Sequence, residues 1–244
     1  MAPRSPWRRA LAVAALVLLG VTGCASGPTG PAPEPLPAAP DLLSRSAQTM
    51  ATVRSAAVDV RVDPALTSVL VRSADGKLTS TGEATGTAVL SFGGSPVEYN
   101  FAVTRGSLYL KGPTGPAQRL PMALAAGIYD PTAVLDPRRG IAALLRAAGT
   151  PPPGAPAPTT EAREDVNGAP AYRVRTTVDP SAVSAVVPGV HATNLLVWVD
   201  KATSRLVKAQ LDVPVDATRQ GGPTAPATVT FADFDAPVTV TPPS

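Results

Sequence analysis

Apolar and polar residues alternate along several short stretches of this chain, which is the pattern of strands that turn one face towards a core. In the clearest stretch, Val97, Phe101 and Val103 occupy one side of the strand, whereas Glu98 and Asn100 occupy the other. We therefore predict about eight to ten strands, mostly antiparallel, with one apolar face and one polar face. The predicted strands are 56–63, 83–92, 97–104, 107–111, 171–179, 194–200, 206–213 and 228–234.

Helical spacing and capping residues predict two or three helices. Residues 42–53 carry apolar side chains at three- and four-residue spacing, and Asp41 precedes them as the predicted N-cap. A second helix is predicted with Asp136 as its N-cap and Pro137 as its first residue. A short third helix is predicted over residues 180–187.

Two dipeptides of the Asp-Gly and Asn-Gly type predict turns. Asp75-Gly76 lies within residues 64–82, whose pattern is ambiguous and favours a loose hairpin, and Asn167-Gly168 separates two strands. The middle of the chain, residues 112–158, is rich in Pro and Gly, and 149–160 is of low complexity. Apart from the second helix and a short apolar stretch at Met122–Ile128, loops are expected there.

The first 24 residues differ in composition from the rest. Residues 1–9 carry three arginines, and residues 10–20 form an apolar run of 11 residues, too short to cross about 30 Å of hydrocarbon. Val21-Thr22-Gly23-Cys24 follows, with an aliphatic residue, two small residues and the chain's only cysteine, as in a bacterial lipobox. We predict that residues 1–23 are a cleaved signal peptide and that Cys24 is joined to diacylglycerol. A secretory signal with an incidental cysteine is the alternative.

The segment after the cysteine favours a tether. Residues 24–40 contain mostly Pro, Gly and Ala, which cannot build a core and favour an extended polyproline spacer. Two or three acyl chains on Cys24 make a durable anchor, because each buried methylene contributes about 0.8 kcal/mol. We therefore expect an exported protein held at the outer face of the plasma membrane, with residues 41–244 as a single domain.

The net charge of +3 arises entirely in the predicted signal peptide. Arg4, Arg8 and Arg9 lie there beside no acidic residue, so the remaining chain carries 18 basic side chains (21 minus 3) against 18 acidic ones. Basic runs interleaved with aromatic residues are also absent from the sequence. Nucleic acid is therefore not an expected partner.

The sequence contains no persuasive catalytic or metal-binding set. His191 is the only histidine, and no motif places a nucleophile beside it. One histidine and no cysteine beyond Cys24 leave few ligands for a transition metal, and no calcium loop or phosphate-binding glycine loop is present. We therefore expect a protein that is not an enzyme and that has no cofactor.

The apolar side of the predicted sheet carries small and aliphatic residues rather than large rings. Such a sheet closes an ordinary core when helices press onto it, and it leaves a ligand cavity when they stand off. The pattern alone favours an ordinary core and leaves both possibilities open. The positions on this side include Ala84, Gly86, Ala88, Val97, Leu108, Leu110 and Val174.

The most specific segment of the domain is Ile128-Tyr129-Asp130-Pro131-Thr132-Ala133-Val134-Leu135-Asp136-Pro137, followed by Gly140-Ile141-Ala142. Residues 90–95, 106–109, 166–168 and 206–212 add supporting matches. With the lipobox, the tether and the order of elements, these segments resemble the LppX/LprA/LprF/LprG lipoproteins of mycobacteria and related actinobacteria. The resemblance covers about residues 42–240, and the LprG branch is the most similar.

This resemblance implies an α+β fold, in which a strongly curved antiparallel half-barrel sheet carries helices on its concave side, as in the carriers LolA and LolB. It implies a cavity for acylated lipids such as triacylglycerol, phosphatidylinositol mannosides or lipoarabinomannan, which the family moves across the envelope beside a major-facilitator exporter. By motif alignment Ala88 and Leu90 line that cavity. The alternation of inward and outward positions along each strand adds Val97, Phe101 and Leu108 to the predicted cavity lining. The alternative function is a structural or transporter-partner lipoprotein with a filled core.

Overall fold

The computed structural model describes residues 34–91, 94–125, 133–187, 190–216, 219 and 221–243. Within these residues eleven strands form one sheet, and four α-helices accompany it. Cys24, most of the tether and the first part of the 128–137 segment lie outside the described residues. The strands are β1 Ser55–Val62, β2 Val71–Thr79, β3 Ala84–Leu90, β4 Val97–Thr104, β5 Ser107–Lys111, β6 Gln118–Pro121, β7 Thr159–Val166, β8 Ala169–Thr177, β9 Asn194–Asp200, β10 Leu206–Pro214 and β11 Thr224–Ala232.

The sheet is an antiparallel meander in two halves. Its order is β6-β5-β4-β3-β2-β1-β11-β10-β9-β8-β7, so every neighbouring pair is consecutive in the chain except β1 and β11. That pair aligns Val58 with Phe231 and joins the N-terminal half to the C-terminal half. The predicted fold class is confirmed, since the strands form a strongly curved open sheet with helices on its concave side.

Directly opposed residues on neighbouring strands point to the same side of a sheet, so the register assigns each residue to a face. The inner face carries Val58, Ala84, Val103, Val197 and Phe231, which belong to the main core. The outer face carries the alternate positions and is mainly polar. Each of the eight predicted strands is present, with ends that coincide or differ by up to four residues. Strands β2, β6 and β7 bring the described total to eleven, above the predicted eight to ten.

The predicted turn at Asp75-Gly76 is wrong. Both residues lie inside β2, where Gly76 is opposite Val58 on one side and Gly86 on the other. Glycine is present there because the backbones of β2 and β3 approach closely, which a strand permits only where a side chain is missing. By contrast, Asn167-Gly168 joins β7 to β8 with φ angles of 54° and 83°, as predicted for a tight hairpin turn.

The helices are α1 Ala39–Met50, α2 Met122–Ala125, α3 Ile141–Ala148 and α4 Pro180–Val186. Two predicted caps are wrong. Ala38 is the N-cap of α1, because Pro40 fits the first turn and lets the helix begin ahead of Asp41. The Asp136 carboxylate accepts from the backbone N–H of Arg138 at 2.8 Å, which caps a turn, and α3 begins only after Gly140.

The helices cover one part of the inner face. Helix α1 contacts α3 and β9, and Thr176 of β8 donates its hydroxyl hydrogen to the Ala148 carbonyl at the end of α3 at 2.7 Å. Leu43 of α1 and Leu145 of α3 are fully buried there. On the inner face, Tyr172, Val174 and Thr176 of β8 are consequently buried, as are Leu195, Val197 and Val199 of β9. This part of the sheet is a closed core.

Candidate functional site

The five residues that the sequence assigned to a cavity lie on the inner face, within three adjacent strands. Leu90 of β3 is opposite Val97 of β4, and Leu108 of β5 is opposite Val103. Ala88, Val97 and Phe101 are half-buried, whereas Leu90 and Leu108 are each 5% exposed. Leu108 belongs to the main core, so its role is packing against the protein itself.

Half-buried apolar residues continue from these positions across the middle of the sheet. Val229, Val60, Ala74, Ala88 and Tyr99 are directly opposed in turn, from β11 through β1, β2 and β3 to β4. We name the whole set the apolar band. It comprises Val60, Ala74, Ala88, Tyr99, Phe101, Leu110, Leu211, Ala227 and Val229, all half-buried.

Buried residues flank part of the apolar band along the strands. Towards one end of the strands Val58, Ala84, Val103 and Phe231 are buried, and towards the other end Leu90 is buried. From β10 to β5 the band crosses six strand spacings of about 4.8 Å, or roughly 29 Å along the curved sheet. Its middle is shallow because Ala74 and Ala88 carry single methyl groups. We interpret this set of partly exposed apolar side chains, which borders the main core, as a shallow apolar trough.

Two opposed glycines bend the sheet beside the apolar band. A Cβ atom placed on Gly86 would lie 2.1 Å from the Asp75 carbonyl oxygen and 2.6 Å from the Gly76 Cα. A Cβ atom on Gly76 would lie 3.2 Å from the Phe101 ring, which therefore packs over this close approach. Such a tight contact between two glycine-bearing strands is typical of the corner of a barrel-like sheet.

Sequence reasoning assigned only two of the nine band members, Ala88 and Phe101, to a cavity. Ala74 was assigned to a loose hairpin, and Ala227 lies just before the predicted start of the last strand. Val60 and Val229 were in predicted strands, on the correct parity, but only the pairing of β1 with β11 brings them beside Ala88. No local pattern reports a contact between residues so far apart in the chain.

The outer face is polar and is held by an ion-pair network. Arg173 pairs with Glu161 and Glu164, and Trp198 donates its indole N–H to Glu164 at 2.6 Å. Arg175 donates from Nε to Glu161 at 2.5 Å, and this bond lowers the pKa of the Glu161 carboxyl below its usual value. The network stabilises the sheet from the side opposite to the apolar band.

Two cavities open on the outer side of the sheet. One, of about 800 Å³, is lined mainly by outer-face residues such as Asp59, Asp75 and Lys77. The other, of about 270 Å³, lies where β9 and β10 end and includes His191 and Arg219. Both linings mix charged and polar side chains with apolar atoms, whereas the sequence led us to expect an apolar lining for a lipid.

The part of the chain that the structure describes offers few side chains grouped as a catalytic or metal-binding site would require. No group of three or more His, Cys, Asp or Glu side chains there is arranged to hold a metal ion. His191 is exposed, as expected for a loop histidine. Among the same residues, no helix combines the length and the hydropathy needed to cross a bilayer.

A protein-family model for the LppX_LprAFG lipoproteins matches residues 38–240, which is nearly the whole described domain. The chain belongs to this family. The LprG proteins of Mycobacterium tuberculosis and Mycobacterium bovis, each named a lipoarabinomannan carrier protein, are 31% identical over 217 residues, covering 86% of this chain and 88% of theirs. LprG of Mycolicibacterium smegmatis is 29% identical over 249 residues, covering 99% of this chain and 98% of its own.

Two solved family structures share the fold. The crystal structure of LprF from Mycobacterium bovis has a TM-score of 0.67 at 22% identity and covers 83% of this chain and 95% of its own. The crystal structure of LppX from Mycobacterium tuberculosis has a TM-score of 0.58 at 16% identity, and it covers 83% of this chain and 98% of its own. The family predicted from the sequence is therefore confirmed by the family model, the relatives and the fold.

Proposed function

We propose that this lipoprotein is a non-enzymatic carrier whose apolar band holds the acyl chains of a lipid or glycolipid. The observation that carries the proposal is the band itself, a continuous set of half-buried apolar side chains on the concave face of the sheet. A folded domain gains free energy by burying such residues, so a broad apolar face left half-open indicates a binding surface.

The energetics suit an acyl ligand. Each buried methylene contributes about 0.8 kcal/mol, so one chain of about 16 carbons gains on the order of 10 kcal/mol before the entropic costs of binding. In the apolar band only Tyr99 carries a polar side-chain group. Binding there would therefore be tight but weakly selective between acyl chains, and selectivity would come from contacts with the headgroup.

The names of the relatives support the class of cargo. The LprG relatives are named lipoarabinomannan carriers, and their sequences align with this chain over the whole domain. We propose acylated envelope lipids as the cargo of this chain, which include triacylglycerol, phosphatidylinositol mannosides and lipoarabinomannan-like glycolipids. A major-facilitator exporter is the proposed membrane partner.

The proposed anchor places the carrier beside its source of lipid. Acyl chains on Cys24 would hold the domain at the outer face of the plasma membrane, on a spacer of residues 25–40. The spacer joins the domain near the start of β7, where Thr160 donates its hydroxyl hydrogen to the Pro37 carbonyl at 2.7 Å. A tethered domain can collect lipid from one membrane repeatedly without diffusing away.

The full chain, expressed in an actinobacterial host and purified from membranes in mild detergent, should carry non-covalent acylated lipid. Native mass spectrometry should show adducts with the mass of an acylated lipid in addition to the covalent anchor. Extraction and mass spectrometry of the released lipid would then identify its class. Protein that is uniformly free of such lipid would favour the alternative, a structural or transporter-partner lipoprotein with a filled core.

A further inference from the structure

The short helix α2 exposes a large apolar side chain. Among the residues that the structure describes, Leu124 is 74% exposed, and the only other exposed large apolar residue, Leu36, is 40% exposed. The chain leads to Leu124 through residues of rising exposure. Leu108 of β5 is buried, Leu120 opposite it is half-buried, and Met122 is half-buried and packs against the main core. Apolar surface therefore continues from the core to residues 122–124, which we name the α2 tip.

Two arginines flank the α2 tip. The backbone N–H of Met122 donates to the Gly106 carbonyl at 3.0 Å, which places the tip beside the turn between β4 and β5. Arg105 in that turn is exposed, and within the described part of the chain its side chain has no carboxylate partner. Arg119 of β6 is also exposed, and its guanidinium donates to the Ser107 hydroxyl at 3.1 Å, a contact that leaves its charge in place.

The charge of this corner complements an anionic lipid surface. Glu83 is the neighbouring carboxylate that accepts a hydrogen bond from Thr104, at 2.9 Å, so one negative charge stands against the two arginines. An apolar side chain that enters the headgroup region, with cations beside it for the lipid phosphates, is the usual means of interfacial binding. A specific protein interface buries roughly 800 Å² on each partner, which is far more than one apolar helical turn offers.

The α2 tip lies at the end of the sheet opposite to the tether. Neighbouring strands of this sheet run in alternating directions, so their order puts the last residues of β6 and β7 at the same end. The tether contacts the first residues of β7, at the other end, where Thr160 donates to the Pro37 carbonyl. A domain held to a membrane from the tether's end of the sheet therefore presents the α2 tip to a surface that faces this membrane.

We propose that the α2 tip docks reversibly on a second, anionic lipid surface. Leu124 enters the headgroup region of that surface, and Arg105 and Arg119 pair with its phosphates. The proposal rests on the Cys24 anchor of the proposed function for its orientation, but it needs no lipid in the apolar band. It gives the tethered domain a contact at each end, one with the membrane that holds it and one with a membrane that it visits.

Bridging of two vesicle populations tests this contact. The full chain from the actinobacterial host would be reconstituted into phosphatidylcholine vesicles, and flotation of these vesicles with the chain checks the anchor separately. Acceptor vesicles that contain phosphatidylglycerol should then be bridged, as energy transfer between dyes in the two membranes reports. Bridging should fall at least about fivefold with acceptors of phosphatidylcholine alone, and also in high salt, because salt screens the arginine contacts. Failure to bridge the anionic acceptors would overturn the proposal.

An L124S variant should bridge at least about fivefold less than the unaltered chain, because a serine gains little from entering the headgroup region. L36S is the matched control, since it removes the same side chain from the exposed position at the tether's end of the domain. L36S should bridge like the unaltered chain. Equal bridging by L124S and L36S would show that the α2 tip is not the contact.

The charge is tested in the same way. R105Q should lower bridging of the anionic acceptors by at least about threefold, because one of the two flanking cations is lost. R45Q removes the same charge from an exposed position of α1 and should leave bridging unchanged. If R105Q bridged as well as R45Q, the arginine beside the turn would have no part in the docking.

A fluorescent label at residue 124 identifies what covers the α2 tip. Cys24 is the only cysteine of the chain and is acylated in the proposed anchor, so L124C offers a single thiol for an environment-sensitive dye. Its emission should shift to the blue only after the anionic acceptors are added. A blue-shifted emission before that addition would assign the tip to the anchoring membrane or to a second copy, and would overturn the proposal. Absence of cargo lipid would contradict the carrier function alone.

Discussion

An Ala88→Trp variant should lose at least about nine-tenths of its bound acylated lipid and keep its fold. Ala88 lies at the centre of the apolar band, between Ala74 and Tyr99 on the neighbouring strands. An indole group there would fill the shallow middle of the trough, where the ligand's methylenes would otherwise lie. Because Ala88 is half-buried rather than enclosed, the ring can be accommodated without rearranging the core.

Thr87→Trp is the matched control for this loss. Thr87 is the preceding residue of the same strand, opposite Asp75 and Asn100 on the outer face. The control adds the same side chain to the same strand and should retain its lipid. Native mass spectrometry of both variants gives the occupancy, and circular dichroism confirms that both are folded. Equal lipid occupancy of a folded Ala88→Trp variant and the control would show that the band is not the acyl site.

Gly86→Ala should destabilise the domain by about 3 kcal/mol or more, although it adds only one methyl group. That methyl group would lie 2.1 Å from the Asp75 carbonyl oxygen, a distance that no side-chain rotation can relieve. The main chains of β2 and β3 must therefore separate, which weakens their ladder and the curvature of the inner face. A drop of this size is a large fraction of the roughly 5–15 kcal/mol that separates folded from unfolded domains.

Gly94→Ala provides the comparison, because a Cβ atom at residue 94 has no atom within 4 Å. Its free energy of unfolding should differ from that of the unaltered chain by less than about 0.5 kcal/mol. Urea unfolding followed by circular dichroism measures both variants. If Gly86→Ala were as stable as Gly94→Ala, the close approach of β2 and β3 would not be required for the fold.

Local patterns in the sequence account for most of the strands. Val97–Thr104 and Ser107–Lys111 were predicted with the ends that the structure gives them, because strict alternation and flanking turns define a strand without reference to distant residues. The alternation of residues along each strand was enough to assign Ala88, Leu90, Val97, Phe101 and Leu108 to the apolar face of the sheet. The family resemblance added the curvature of the sheet and the position of the helices.

The errors arose where a distant contact overrides a local preference. Asp-Gly is a common turn sequence, yet at 75–76 the approach of β3 makes glycine necessary within a strand. Ala74 and Ala227 carry no strong strand preference of their own, and only pairing with β3 and with β1, respectively, places them in the apolar band. The cavity beside His191 likewise depends on which strands end next to one another, so no sequence pattern could have predicted it.

The distribution of burial favours the proposed carrier over a lipoprotein with a filled core. Under α1 and α3 the inner faces of β8 and β9 are closed, as in any stable domain. Beyond β9 the same face continues for seven strands, from β10 to β5, with the apolar band half-open. A purely structural lipoprotein would gain stability by covering these residues, so their partial exposure supports the proposed carrier function.

Photo-crosslinking with a lipid that carries a diazirine in the middle of its acyl chain tests the acyl site most directly. The full chain, loaded with this lipid and irradiated, would be digested and the modified residues located by mass spectrometry. We expect the adducts on members of the apolar band, chiefly Val60, Ala88, Tyr99 and Leu110. Adducts confined to outer-face residues such as Thr87 and Thr230, with the band unmodified, would contradict the proposal that the concave face holds the cargo.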